Sequence, residues 1–202
     1  MHLWVFPFMG PSVLILLPAL ILALYAQYKV RSTYARYARV QTASGITAAQ
    51  AAQRILAASG ISDVEIQGIR GALSDHYDPR HRVLRLSEPN SQSVAAVGVA
   101  AHEAGHAIQH ARGYKPLALR SAIVPVANLG SQLAFPLFFL GLILSNKPFM
   151  TIGILAFSAA VLFTLVTLPV EFDASRRAIA ALREGYLVSE EELGEGKEGL
   201  FA

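Results

Sequence analysis

A mainly α-helical membrane protein is the fold class that this sequence predicts, with three transmembrane helices and a small cytoplasmic α+β segment that carries a short β-hairpin or sheet. Two observations lead there. Of the 202 residues, 53% are hydrophobic and only 15% are charged, a balance outside the range of ordinary soluble domains. Three stretches, Leu3 to Tyr28, Ser121 to Asn146 and Pro148 to Val170, contain no Asp, Glu, Lys or Arg, and crossing about 30 Å of hydrocarbon takes roughly 20 helical residues. The chain has no cysteine, which removes disulfides, cysteine-rich zinc modules and thiol catalysis and leaves His, Asp and Glu to carry demanding chemistry.

Each element then follows in order. Residues 1–28 read as an N-terminal anchor rather than a secretory signal, because the uncharged region is longer than a typical signal core and the basic residues come after it. Prolines inside the spans (Pro18, Pro125, Pro136) are tolerated in membrane helices, where neighbouring groups satisfy the freed carbonyls. Residues 29–116 form the cytoplasmic segment. The run YKVRSTYARYAR directly follows a span, so its basic and aromatic residues suit anionic lipid headgroups better than nucleic acid. Thr47 is the expected N-cap of a short amphipathic helix that closes on Gly60. VEI and RVLRL read as strands around a turn near DPRH. The Ala-rich run from Ser91 to Arg112 ends at Gly113 and reads as one long helix. Residues 117–170 form a membrane hairpin, and residues 171–202 a cytoplasmic helix with an acidic tail.

The basic residues orient this arrangement. Of 17 Lys and Arg, twelve lie from Lys29 to Arg120, four follow Val170, and Lys147 alone sits between the second and third spans. Positive-inside bias therefore places residues 29–120 and the carboxyl tail in the cytoplasm and the Ser145 to Phe149 turn outside.

Within the long helix, VAAHEAGHAIQHARGY places His102, Glu103, His106 and His110 within nine positions. His102 and His106 are four residues apart and project from one helical face, close enough to share a metal ion. Two neutral imidazoles in an H-E-x-x-H arrangement bind Zn²⁺, and the adjacent carboxylate of Glu103 is placed to take a proton from water there. Surface histidines on a polar face are the alternative, which the small apolar neighbours VAA and AGHAI disfavour. A catalytic zinc takes three protein ligands. His110 points about 80° away from His102 on a straight helix and reads better as a rim residue or a partner to a ligand. Glu171 is the better third ligand: it is the first charge after 23 uncharged residues, and the hairpin returns it to the side of HEAGH. A carboxylate at a membrane boundary is costly and usually functional. Asp173, Asp75, His76 and Asp78 are weaker ligand candidates.

The motifs SDHYDP, VLRLS, AAHEAGHAIQ and LPVEFDASRRA, in that order between apolar spans, resemble the YugP-type bacterial membrane zinc metallopeptidases over residues 1–190. The resemblance implies a zincin-like cytoplasmic segment, Zn²⁺ held by His102, His106 and Glu171, and Glu103 as the catalytic residue in hydrolysis of peptide bonds. It also relates the site to gluzincin proteases, whose third ligand sits in E-x-x-A-D; here the pattern is E-x-x-A-S, with Ser175 where the relatives place an Asp behind a ligand. Asp173 and His110 are further candidates for that supporting role. Tyr77, His76 and Arg176 are candidates for stabilising the oxyanion. The expected partners are a peptide or protein substrate and membrane lipid, with no nucleic acid and with room for a homo-oligomer. The expected location is the inner (plasma) membrane of a bacterial cell, multi-pass, with the active site on the cytoplasmic side. Related chains continue into another hydrophobic helix where this one stops after SEEELGEGKEGLFA, so a shortened carboxyl end is expected. The HEAGH helix precedes its own span, unlike that of an intramembrane protease, and the chain has no nucleotide-binding motif of the ATP-dependent membrane proteases. A metal-binding assembly protein is the rival of a different class, and it would have no need of Glu103.

Overall fold

The structure, a computed structural model, describes residues 11–185 together with Gly194. The chain runs through α1 (Pro11–Tyr37), α2 (Ala48–Ala58), β1 (Glu65–Gly68), β2 (His76–Asp78), β3 (Val83–Leu86), α3 (Val94–Ala111), α4 (Lys115–Ile143) and α5 (Lys147–Glu184). The start of α2 follows from its sequence: the Gln50 amide donates to the Thr47 side chain, and the Thr47 amide donates to the Gln50 side-chain oxygen, a reciprocal capping box. Its end lies at Gly60, whose φ of 74° lets the Ile61 N–H reach back 2.9 Å to the Leu56 carbonyl. Between these caps Ala51, Ala52, Ile55 and Leu56 are buried.

The sheet differs from the expected pairing of VEI with RVLRL around one turn. Its strand order is β1-β3-β2; β1 runs parallel to β3, and the antiparallel partner of β3 is the three-residue β2. The DPRH turn is present, but it joins β2 to β3. Asp78 closes it by accepting the Arg80 amide at 3.0 Å and the His81 amide at 3.3 Å, an Asx-type turn. A parallel neighbour needs a crossover rather than a tight turn, and residues 69–75 with β2 make that crossover from β1. The short sheet packs on α3 through Leu84 and Leu86, both buried, and joins Ile55, Val97, Ala100 and Ala104 in one core that also takes Ala178, Ile179 and Leu182 from the end of α5.

Ser93 caps α3 by accepting the Ala96 amide at 3.2 Å. The long hairpin of α4 and α5 is joined at Ser145 and Asn146, with Asn146 accepting the Phe149 amide at 3.2 Å. Glycines let the two helices approach closely: a Cβ at Gly141 would lie 2.6 Å from the Met150 nitrogen, and one at Gly153 would lie 2.7 Å from the Ala134 carbonyl oxygen. Among the described residues, α4 and α5 are long and apolar enough to cross a membrane. Their outer faces present Val126, Leu129, Phe135, Ile143, Leu155 and Leu162, all exposed, an apolar surface that suits lipid rather than water. The expected anchor over residues 1–28 begins in residues that lie outside those described, and most of the acidic tail, residues 186–202, lies outside them as well. One continuous helix, α5, carries both the third apolar stretch and Glu171.

Candidate metal centre

His102 and His106 lie one turn apart on α3, and α5 crosses this helix at Gly105. A Cβ there would stand 2.5 Å from the Ala174 carbonyl oxygen, so glycine is required for the approach. The crossing sets Glu171 and Ser175, one turn apart on α5, opposite the two imidazoles. Glu171 Oε2 is 3.1 Å from His102 Nε2 and 3.4 Å from His106 Nε2, and donor atoms from all three residues lie within 4.8 Å of one another. Tetrahedral zinc with bonds of about 2.0–2.1 Å holds its ligand atoms about 3.3 Å apart, close to both measured separations. Two imidazole nitrogens and one carboxylate oxygen are also the donor types and the number that a catalytic zinc takes from protein. The residues present fit the metal.

Hydrogen bonds behind the triad set its orientation. Gln109 is fully buried; its Nε2 donates to the Val170 carbonyl and to Asp173 Oδ2, both at 2.8 Å. Its Oε1 therefore faces His106 Nδ1 at 3.0 Å. An amide oxygen can only accept, so Nδ1 carries the hydrogen and Nε2 turns its lone pair toward Glu171 and the metal position. Asp173 is held in turn by Arg177 at 2.6 Å, whose guanidinium lies 5.8 Å from the Tyr114 ring centre. Ser175 Oγ is 3.2 Å from His102 Nδ1, so the serine in E-x-x-A-S occupies the supporting position that the resemblance assigns to an Asp. Arg120 of α4 donates to Glu171 Oε1 at 2.8 Å and offsets its charge. Burial works to depress the His106 imidazole, but the Glu171 carboxylate, which would accept from the protonated ring, and the charges of Glu103 and Glu171 outweigh that and raise its pKa.

Residues 12–202 match the family described as "Putative neutral zinc metallopeptidase". The chain belongs to this family. The "Putative membrane protease YugP" of Bacillus subtilis (strain 168) is 47% identical over 182 residues, which cover 89% of this chain and 81% of that relative. No solved structure matches. The family's name specifies zinc, and the His102, His106 and Glu171 cluster is a donor set of the right chemistry for it.

Glu103 lies beside the triad, and its Oε2 accepts the Tyr77 backbone N–H at 2.8 Å. An open cleft of about 580 Å³ joins these groups, with residues 75–80 of β2 and its flanks on one wall and α4 from Leu117 to Asn128 on the other. The larger groove between α2 and β1, about 790 Å³, is lined by neutral residues alone and offers no comparable chemistry.

The other candidates fall in different places. His110 bonds the Tyr77 hydroxyl at 2.8 Å, away from the triad, so that hydroxyl is engaged there and only the Tyr77 backbone faces Glu103. Burial, with a contribution from the Asp78 charge, raises the Tyr77 pKa. Asp75 accepts both the amide and the hydroxyl of Ser87 at 2.7 Å. Asp78 is taken up by the turn and by Arg85, and His76 lies between the Ser74 carbonyl and Arg85. These three line the cleft without joining the metal cluster. Arg176 is exposed and does not line the cleft; five residues along the helix, it points about 140° away from Glu171. Arg120, and not Arg176, bonds a member of the cluster, and Arg80 also lines the cleft. Sequence reasoning passed over both Arg120 and Gln109. Arg120 had a signal, since it is the last charge before the second apolar stretch as Glu171 is the first after the third, and a hairpin brings such a pair to one level.

Proposed function

We propose that this protein is a multi-pass membrane zinc endopeptidase of the H-E-x-x-H, gluzincin-like type, with His102, His106 and Glu171 as zinc ligands and Glu103 as general base. Its site is on the cytoplasmic side of a bacterial inner membrane, as the distribution of Lys and Arg favours. Zinc, when bound, lowers the pKa of water at the site and polarises the scissile carbonyl. Glu103 accepts the water proton and delivers it to the leaving amine. The Tyr77 N–H fixes one oxygen of the Glu103 carboxylate and leaves the other to move that proton. No covalent intermediate is required. Arg120, held by Glu171, is the nearest cation for an oxyanion.

The observation that carries this reading is the position of Glu103: beside the metal cluster, anchored by a backbone amide, and outside the ligand set. A metal site serving structure alone has no use for it. Glu103→Gln keeps the shape of the side chain but cannot accept a proton. It should retain zinc while hydrolysis of a flexible protein falls by about 10²- to 10⁴-fold. A zinc-loaded Glu103→Gln protein with near wild-type cleavage would defeat the mechanism, and a wild type that cleaves nothing across a broad peptide library would favour the assembly-protein alternative.

A further inference from the structure

The α4 wall of the cleft is a single helical stripe. Leu117, Arg120, Ser121, Val124, Pro125 and Asn128 line it, at spacings that fall on one face of a helix. Arg120 touches Glu171, so the stripe begins at the metal cluster. It then runs to Asn128, about 12 Å further along the axis at 1.5 Å per residue, within the part of α4 that has no charged residue. Ser131 and Gln132 continue the same face one turn beyond. An apolar span thus places its polar side chains in line with the cleft, while Val126, Leu129 and Leu133 on its other faces are exposed and apolar.

Asn128 and Gln132 are exposed. Among the described residues neither side chain makes a hydrogen bond, whereas Ser131 satisfies its hydroxyl on the Asn128 carbonyl. Pro125 adds a further polar group, since it has no N–H to give the Ser121 carbonyl. Unsatisfied amides at the level of hydrocarbon are costly. An extended peptide drawn out of a membrane helix carries the complementary deficit, a row of unpaired N–H and C=O groups. A primary amide both donates and accepts and can meet either kind.

Resting on the peptidase reading above, we infer that the substrate of this site is a membrane-anchored protein, cut within about six residues of the end of its apolar segment, the length of extended chain that spans the roughly 18 Å from Arg120 to Gln132. The unwound end of that segment lies along the α4 stripe, with Asn128 and Gln132 pairing with its backbone, and the scissile bond sits at the metal cluster on the membrane boundary.

The test uses the full zinc-loaded chain in phosphatidylcholine and phosphatidylglycerol vesicles. One probe is an apolar helix of about 20 residues followed by a polar flank of mixed sequence; the other is the flank alone. Cut sites are read by mass spectrometry as spacer residues are inserted between helix and flank. The cut should keep its distance from the helix end as the spacer grows. In the Asn128→Leu/Gln132→Leu double variant, cleavage of the anchored probe relative to the free flank should fall roughly tenfold, the loss expected for two hydrogen bonds, with zinc content unchanged. Val126→Ala, on the opposite face, should cleave as wild type does. A cut that stays with one sequence whatever the spacer would overturn the inference while leaving the peptidase reading intact, provided Glu103→Gln abolishes it. A double variant that alters cross-linking between copies of the chain but not the cleavage ratio would assign the stripe to self-association and equally overturn it. Cleavage of neither probe by wild type would remove both readings.

Discussion

Gln109 reacts with nothing, yet its amide decides which nitrogen of His106 is free. Gln109→Leu keeps most of the volume but leaves the His106 Nδ1–H without an acceptor and strips donors from the Val170 carbonyl and Asp173. Zinc affinity should drop about 10- to 100-fold, the usual effect of losing such a partner, as measured by chelator competition. Glu171→Ala should release most of the metal, whereas His110→Ala, which loses a bond to Tyr77, should hold it. The reverse order would reassign the third ligand. Asp78 governs a different property. Its bond to His81 is the largest influence; burial opposes it, and with the bonds from Arg85 and two backbone amides added, its carboxyl is held well below the usual carboxylate range. A depressed pKa in the folded state stabilises it above the ordinary value of about 3.9 and loses that contribution as pH falls through the depressed one. Asp78→Asn should therefore melt lower than wild type at neutral pH, and the two melting curves should converge in strong acid. A gap that persists unchanged at low pH would show that the carboxylate charge is not what closes the β2–β3 turn.

Helices were legible wherever their signals are local. Thr47 and Gln50 form the capping box of α2, and Gly60 and Gly113 follow the ends of α2 and α3 because each end is decided within a few residues. Strand pairing was not legible, because VEI and RVLRL carry no mark of whether they meet antiparallel across one turn or parallel after a crossover. Helix crossings leave a faint trace, and two glycines in α3 show the difference. A Cβ added at Gly105 would lie 2.5 Å from the Ala174 carbonyl oxygen of α5, whereas nothing lies within 4 Å of one added at Gly98. Gly105→Ala should force the helices apart, cost about 1–3 kcal/mol or more of stability, and weaken zinc binding by drawing Glu171 from the histidines. Gly98→Ala should leave zinc binding alone and stabilise α3 by up to about 1 kcal/mol. Thermal melts and zinc titrations of the pair would check this; equal effects at both positions would remove the close crossing as the device that assembles the triad.

For the molecule as a whole, the arrangement of α4 and α5 as an antiparallel hairpin places both ends of the pair, and with them Arg120 and Glu171, on one side. Lys147, at the hairpin turn, lies on the other. If the basic residues orient the chain, a tag near Lys147 should be reachable from outside intact cells and a tag near Arg80 should not. A protected Lys147 tag beside an accessible Arg80 tag would invert the topology. It would leave the metal cluster unchanged but move its chemistry to the opposite compartment.

By itself the sequence determined the apolar stretches and the His102, Glu103, His106 face, since hydrophobic length and helical period are properties of neighbouring residues. It also pointed to Glu171 through the return of the hairpin. Only the tertiary structure decided the order β1-β3-β2, the grip of the Tyr77 amide on Glu103, the Gln109 link from His106 to Asp173, and the choice of Arg120 over Arg176 at the site. Each of these depends on where two distant segments cross. A crossing is set by close packing at points such as Gly105 and Ala174, which no periodicity along the chain records.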